Sequence, residues 1–331
     1  GLNMKKVTAR AVCEGAIVAA LTVLLMFMGI YVPVFRTLAM FVCGIPLAYL
    51  MIRQGVYISA ASFIASLLLI FIVTGDIISG PLSGLITLLP GLVIGYCMSH
   101  NCRYYVTLAS GIAAVLFGLV LDVMILNVMA GGENGIAGML DETINSVQGA
   151  MNTYISSVEN SADMGNIVSE ALKQTKEIIL TYFPTILVVA ASVMGYIITS
   201  LCIFFMKRFR VKNYEYVRFY MIKVPKSLSV VTVLLMIVSF MSNDSSIYTL
   251  ALKNVVAVLS FVLVIDGLSL VDFSLRKKFR SGYSRFGIYL LILILGYFFI
   301  SIIFYILMFA GMLDANIDIR MLKKAGDDSE S

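Results

Sequence analysis

The chain of 331 residues is 60% hydrophobic and only 13% charged, with a mean hydropathy of +0.97. A water-soluble domain carries about 25% charged residues, so this balance excludes a soluble globular protein and points to lipid as the main solvent. The net charge of +5 is read below as a topology signal, and no nucleic-acid partner is expected.

Apolar runs of membrane-spanning length lie near residues 8–30, 37–53, 56–74, 82–99, 104–130, 182–206, 228–242, 247–272 and 286–311. Lipid supplies no water to satisfy backbone groups, and the runs are continuous rather than alternating, so helices are expected and a barrel is not. The expected fold is an all-α polytopic membrane protein of about nine transmembrane helices, with 228–242 the shortest. Lys5, Lys6, Arg10, Arg53, Arg103, the Lys207–Lys226 gap and the Arg276–Arg285 gap place cations in every second connection. Short cation-rich connections resist translocation, so the N-terminus is expected in the cytoplasm and the protein in the cell membrane. Nine spans would leave the 312–331 tail outside, against the cations Arg320, Lys323 and Lys324. A re-entrant seventh span would bring the tail inside.

The first span carries small residues at Ala11, Gly15 and Ala19, with Ala16 and Ala20 beside them. Residues four apart share a helix face, and small ones let a second backbone approach. The row serves either packing inside the bundle or docking of a separate membrane subunit. Glu14 sits in the same stretch, one turn after Arg10, which can pair with it.

Cys13, Cys43, Cys97, Cys102 and Cys202 fall in spans or at their cytoplasmic ends, so no structural disulfide is expected. Cys97, His100 and Cys102 offer three ligands, one short of a tetrahedral metal site, and read as a tight turn. Ser83, in a Gly80-Pro81-Leu82-Ser83-Gly84 run, is too far from His100 for nucleophile and base to meet. With neither an H-E-x-x-H helix nor a phosphate-binding Gly-rich Lys-Ser/Thr loop, neither zinc proteolysis nor ATP hydrolysis is expected. No enzyme activity, metal or cofactor is predicted.

Asp122 stands mid-span in the fifth run, with Asn127 further out; Lys253 and Asp266 lie in the eighth. A charge at the bilayer centre costs about 3 kcal/mol or more, so each needs a partner or a cavity. Asp122 is the candidate for ligand or proton chemistry, or a buried carboxylate bonded to a Ser, Tyr or Lys neighbour. Asp266 and Asp272 are expected to pair with the Arg276–Arg280 cluster.

The outer segment 131–181 repeats apolar residues at helical spacing from Ile136 to Val158 and again from Met164 to Leu172. It reads as an extracytoplasmic amphipathic helical hairpin, broken around Asn160–Gly165. Its polar face is acidic, which disfavours anionic lipid and favours a cap over an outward mouth. The 207–226 loop interleaves cations with Phe209, Tyr214, Tyr216, Phe219 and Tyr220. Together with 276–285 it is expected to lie on anionic lipid.

The basic N-terminus, the small-residue first helix, Val32-Pro33, Gly44-Ile45-Pro46-Leu47, Gly75-Asp76 and Leu89-Pro90-Gly91-Leu92-Val93-Ile94-Gly95 resemble the S components of energy-coupling-factor vitamin importers over residues 5–206. The whole chain is similar to the YybS-like family of bacterial membrane proteins. The S-component resemblance implies a six-helix unit that binds a small molecule in an outward pocket and docks onto a membrane T subunit driven by ATPases. Ala16 and Ala20 match the docking motif, and the implied ligand residues are Tyr31, Arg36, Asp76, Asn127, Glu133 and Asn134, which join Asp122 as ligand candidates. Residues 228–311 would form an appended three-helix bundle. The alternative is a membrane scaffold for envelope or division machinery that transports nothing. A polar outer cavity would favour the first reading and a solidly packed one the second.

Overall fold

A computed structural model describes residues 8–75, 79–129, 135–155, 161–242, 246–279, 282–317 and 319–320. Among these the regular elements are helices alone: α1 (Ala9–Tyr31), α2 (Pro33–Val42), α3 (Ile45–Gln54), α4 (Val56–Thr74), α5 (Ser79–Ser99), α6 (Tyr104–Met129), α7 (Gly135–Ile155) and α8 (Ser161–Arg208). A 3-10 turn at Phe219–Met221 precedes α9 (Lys226–Met241), α10 (Ile247–Lys278), α11 (Gly282–Phe298) and α12 (Ile300–Ile317). Eight helices of the described residues are long and apolar enough to cross a membrane, α2 and α3 together forming one, and the 16-residue α9 is a shorter apolar helix. The protein is therefore an all-α polytopic membrane protein.

Helix α4 shows most plainly that lipid, and not water, surrounds this bundle. On α4 the buried positions include Ser59, Ser62 and Ser66, while Ile64, Leu68 and Ile72 face outward. That arrangement is stable only where the surroundings are apolar.

The chain divides into two compact units, Gly1–Leu180 with Ile186–Tyr216, and Thr181–Thr185 with Val217–Ser331. The expected boundary at residue 206 is thus displaced into the basic loop, after Tyr216. In the first unit small residues bring backbones together. Ser62 Oγ donates to the Gly15 carbonyl at 2.6 Å, joining α1 to α4. A Cβ at Gly91 would come within 2.0 Å of the Gly44 carbonyl oxygen, so α5 and the α2–α3 joint meet backbone to backbone. Pro46 starts α3, and α2 and α3 together make up the run expected as one span over 37–53. Val18, Met26, Leu47, Leu50, Ile70 and Leu88 fill the core between these helices. After α8 the chain is tied back: Lys212 Nζ donates to the last carbonyls of α5, Met98 and Ser99, and the Tyr214 hydroxyl donates to the Cys102 carbonyl. Burial lowers the Lys212 ammonium below the ordinary lysine range and raises the Tyr214 phenol.

The outer hairpin differs from expectation in its second arm. Instead of a separate helix, residues from Ser161 run without interruption into the sixth span, giving the 48-residue α8. Lys176 pairs with Asp141 and holds α7 to this arm. The apolar residues Met139, Val147, Met151 and Ile167 remain exposed, while Leu140, Ile144, Val168 and Leu172 are half-buried.

In the second unit α10 and α12 cross at two glycines. A Cβ at Gly267 would lie 2.0 Å from the Leu307 carbonyl oxygen, and one at Gly311 2.0 Å from that of Leu263. The run expected as a single ninth span, 286–311, is two helices meeting at Phe299. The Arg320 side chain donates to the carbonyls of Tyr220 and Ile222, so the chain after α12 shares one end of this unit with the 219–222 segment.

Candidate functional site

A cavity of about 670 Å³ opens in the first unit between α1, α2, α4, α5 and α6, within the ~300–1,000 Å³ range of small-molecule sites. Met26, Ile30, Ala39, Met40, Ile86, Leu119 and Ile125 make most of its wall apolar. Its polar groups are Tyr31, Arg36, Thr74, Ser83, Thr87 and Asp122.

These groups are not equally free. The Ser83 hydroxyl donates to the Gly80 carbonyl at 2.8 Å, and those of Thr74 and Thr87 donate to the carbonyls of Ile70 and Ser83, both at 2.8 Å. Each is absorbed by its own helix, a habit that lets hydroxyls sit in lipid-buried helices. Asp122 and Arg36 are different. Among the described residues neither makes a hydrogen bond or an ion pair to another side chain or backbone group. The half-buried Asp122 and the exposed Arg36 thus bring opposite charges to one cavity with their bonding capacity unspent.

Three of the seven expected ligand residues, Tyr31, Arg36 and Asp122, line this cavity. Asn127 is exposed and is not among the lining residues; its carboxamide abuts Gly135, where a Cβ would stand 1.7 Å from Oδ1. It belongs to the α6–α7 joint, directly after the lining residue Leu126. Asp76, Glu133 and Asn134 lie outside the described residues. The lining residues Met26, Thr74 and Thr87 were not anticipated, since nothing distinguishes them from packing residues in the sequence.

The small residues of α1 separate into two faces. Ala11, Gly15 and Ala19 are buried, with Gly15 against Ile58 and Ser62 of α4, so they are committed inside the chain and unavailable for docking. Ala16 and Ala20 are exposed. The docking row of five therefore narrows to these two. Glu14 pairs with Arg10 as expected, at 3.5 Å, and also accepts from Gln54 at 2.6 Å and lies 3.4 Å from Arg53 of α3.

The basic loops are partly turned inward. Lys212 caps α5, and Arg276 pairs with Asp272 at 2.9 Å while stacking on Tyr220 at 4.8 Å. Asp272 thus pairs with the 276–280 cluster as expected. Asp266 does not: its partner is Arg320. The acidic residue lies three turns from the cluster's centre, out of side-chain reach along one helix.

The chain is similar to the "Uncharacterized protein YybS" of Bacillus subtilis (strain 168), with 25% identity over 281 residues that cover 81% of this chain and 85% of the relative. No solved structure matches it. The family described as "Predicted membrane protein (DUF2232)" matches residues 20–315, nearly the whole membrane-embedded chain, and the protein belongs to that YybS-like family.

Proposed function

We propose that the first unit is a membrane-embedded binding subunit for a small solute, of the S-component type, without an ATPase or enzymatic chemistry of its own. The observation that carries this reading is the cavity of about 670 Å³ in which Asp122 and Arg36 stand without partners among the described residues. A charged side chain in a span is costly unless a partner or cavity receives it, and a ligand with an apolar body and ionised ends supplies what both residues lack. The solute class that fits is a small zwitterion or a polar molecule with an apolar core.

Delivery requires a partner. The exposed Ala16 and Ala20 offer a close-approach face at the end of α1 that carries Arg10 and Glu14, suited to a second membrane helix such as that of a T subunit coupled to ATPases. The cation distribution supports a cell-membrane protein with the N-terminus in the cytoplasm, 131–181 outside, and the basic 207–226 and 276–285 segments at anionic lipid. Because Arg320 joins the 219–222 segment, the same reading puts the C-terminal tail in the cytoplasm.

The test is ligand-induced stabilisation of the purified protein in detergent. A panel of small zwitterions and polar solutes is screened against the wild type and Ser83→Phe, which fills the cavity. A binder at 100-fold excess over its dissociation constant adds about 2.7 kcal/mol of stability to the wild type and nothing to the filled variant. Equal responses in both, across the panel, contradict the proposal.

A further inference from the structure

The second unit buries three charges in one place. Arg320 Nη2 lies 2.5 Å from Asp266 Oδ1 and 2.8 Å from Asp314 Oδ2, and all three side chains are fully shielded from solvent. Arg320 Nε also donates to Asp314 Oδ2 at 2.9 Å, while Nη1 donates to Ser269 Oγ at 2.7 Å and to the Tyr220 and Ile222 carbonyls. The guanidinium is thus saturated with acceptors. The second oxygen of each carboxylate is not: Asp266 Oδ2 and Asp314 Oδ1 are buried with no hydrogen-bond partner among the described residues.

Among the described residues, two carboxylates against one guanidinium leave a net charge of minus one in a site shielded from solvent. A low-dielectric site tolerates a paired charge far better than an unpaired one. Two carboxylates that share one site also resist ionising together. The polar groups around them do not cancel the excess. From α10, Ser269 is already engaged and Asp272 is paired with Arg276 and Tyr289. From α12 and α9, Asn316 and Ser229 bond each other at 3.1 Å. The loop contributes the Val224 amide facing Asp266, and Lys223 is the nearest other cation along that loop in sequence. A metal ion fits poorly, because the arginine already occupies the space between the carboxylates.

We propose that Asp266 binds one exchangeable proton, carried on its buried Oδ2, and that this proton holds the chain end against the 219–222 segment. The proton comes from water and returns to it; no bond other than O–H forms or breaks. Protonated, the cluster is neutral and Arg320 stays docked on α10, α12 and the loop carbonyls. As pH rises and the proton leaves, the buried site acquires its negative charge and the Arg320 clasp loosens.

The experiment is infrared spectroscopy of the full chain in lipid nanodiscs, titrated with pH, for the wild type, Asp266→Asn and Asp314→Asn. The wild type is expected to show a protonated-carboxyl carbonyl band at mildly acidic pH that vanishes as the pH is raised. Each single variant should lack that band, because the remaining carboxylate pairs one-to-one with Arg320. In parallel, the thermal midpoint of the wild type should fall with rising pH over the range in which the band is lost, a measurement that needs no variant. A wild-type spectrum without the band, or a band retained in both variants, overturns the proposal. So does a cluster that responds to sodium at fixed pH, which would assign the site to a metal cation.

Discussion

Asn254 of α10 bridges the two backbone groups that an uninterrupted α8 would pair with each other. Its Oδ1 accepts from the Thr185 N–H at 3.2 Å and its Nδ2 donates to the Thr181 carbonyl at 2.8 Å. Pro184 stands between them, and its ring and missing N–H disrupt the helix ladder at this turn. The Thr185 hydroxyl completes the clasp, 2.7 Å from Asn254 Oδ1. A polar residue inside an apolar helix is here a repair for a proline elsewhere.

Asn254→Leu should therefore cost about 1–3 kcal/mol, the penalty for leaving buried backbone groups unpaired. In the Pro184→Ala background the helix closes its own ladder, and the same substitution should cost much less. A double-mutant cycle on thermal or chemical unfolding reads the difference.

Gly267→Ala and Gly311→Ala each place a methyl about 2.0 Å from a backbone carbonyl oxygen of the facing helix. Backbone cannot yield as a flexible side chain can, so both should exceed the ~1–3 kcal/mol typical of overpacking. The expected result is loss of the monodisperse peak in size-exclusion chromatography. A wild-type elution profile would show that α10 and α12 are further apart than described.

On α1 the two small-residue faces should behave differently. Gly15→Leu drives into Ser62 and Ile58 and should destabilise by roughly 1–3 kcal/mol. Ala16→Leu with Ala20→Leu should leave stability within about 0.5 kcal/mol while releasing a co-purifying membrane partner. Quantitative mass spectrometry of the affinity-purified variants separates these outcomes.

Lys212→Met removes the donor that satisfies the last α5 carbonyls. A lost hydrogen bond to a charged group should cost about 1.5–3 kcal/mol. Hydrogen exchange should rise selectively at the α5–α6 turn, with little change in α10.

The sequence made the solvent plain: most span positions and the pairing of Glu14 with Arg10 follow from local pattern. Breaks were harder, because they are set by contacts from distant residues. Gly44 and Gly91 are far apart in sequence, and only the fold brings their backbones together. The split at Phe299 carries no proline or glycine at the joint, and α8 stays helical through Pro184 with help from Asn254. In the cavity Asp122 announced itself by its cost in lipid, while Met26 and Thr87 look in sequence like any packing residue. Arg320 was read as a marker of sidedness; its partners Asp266 and Asp314 lie 54 and 6 residues away, and only the fold joins them.

Native mass spectrometry of the purified full chain, wild type against Asp122→Asn and Ser83→Phe, tests the binding reading most directly. The account predicts a small non-lipid molecule released from the wild type, reduced for Asp122→Asn and absent for Ser83→Phe. Spectra that show only lipid and detergent adducts, identical in all three proteins, would contradict it.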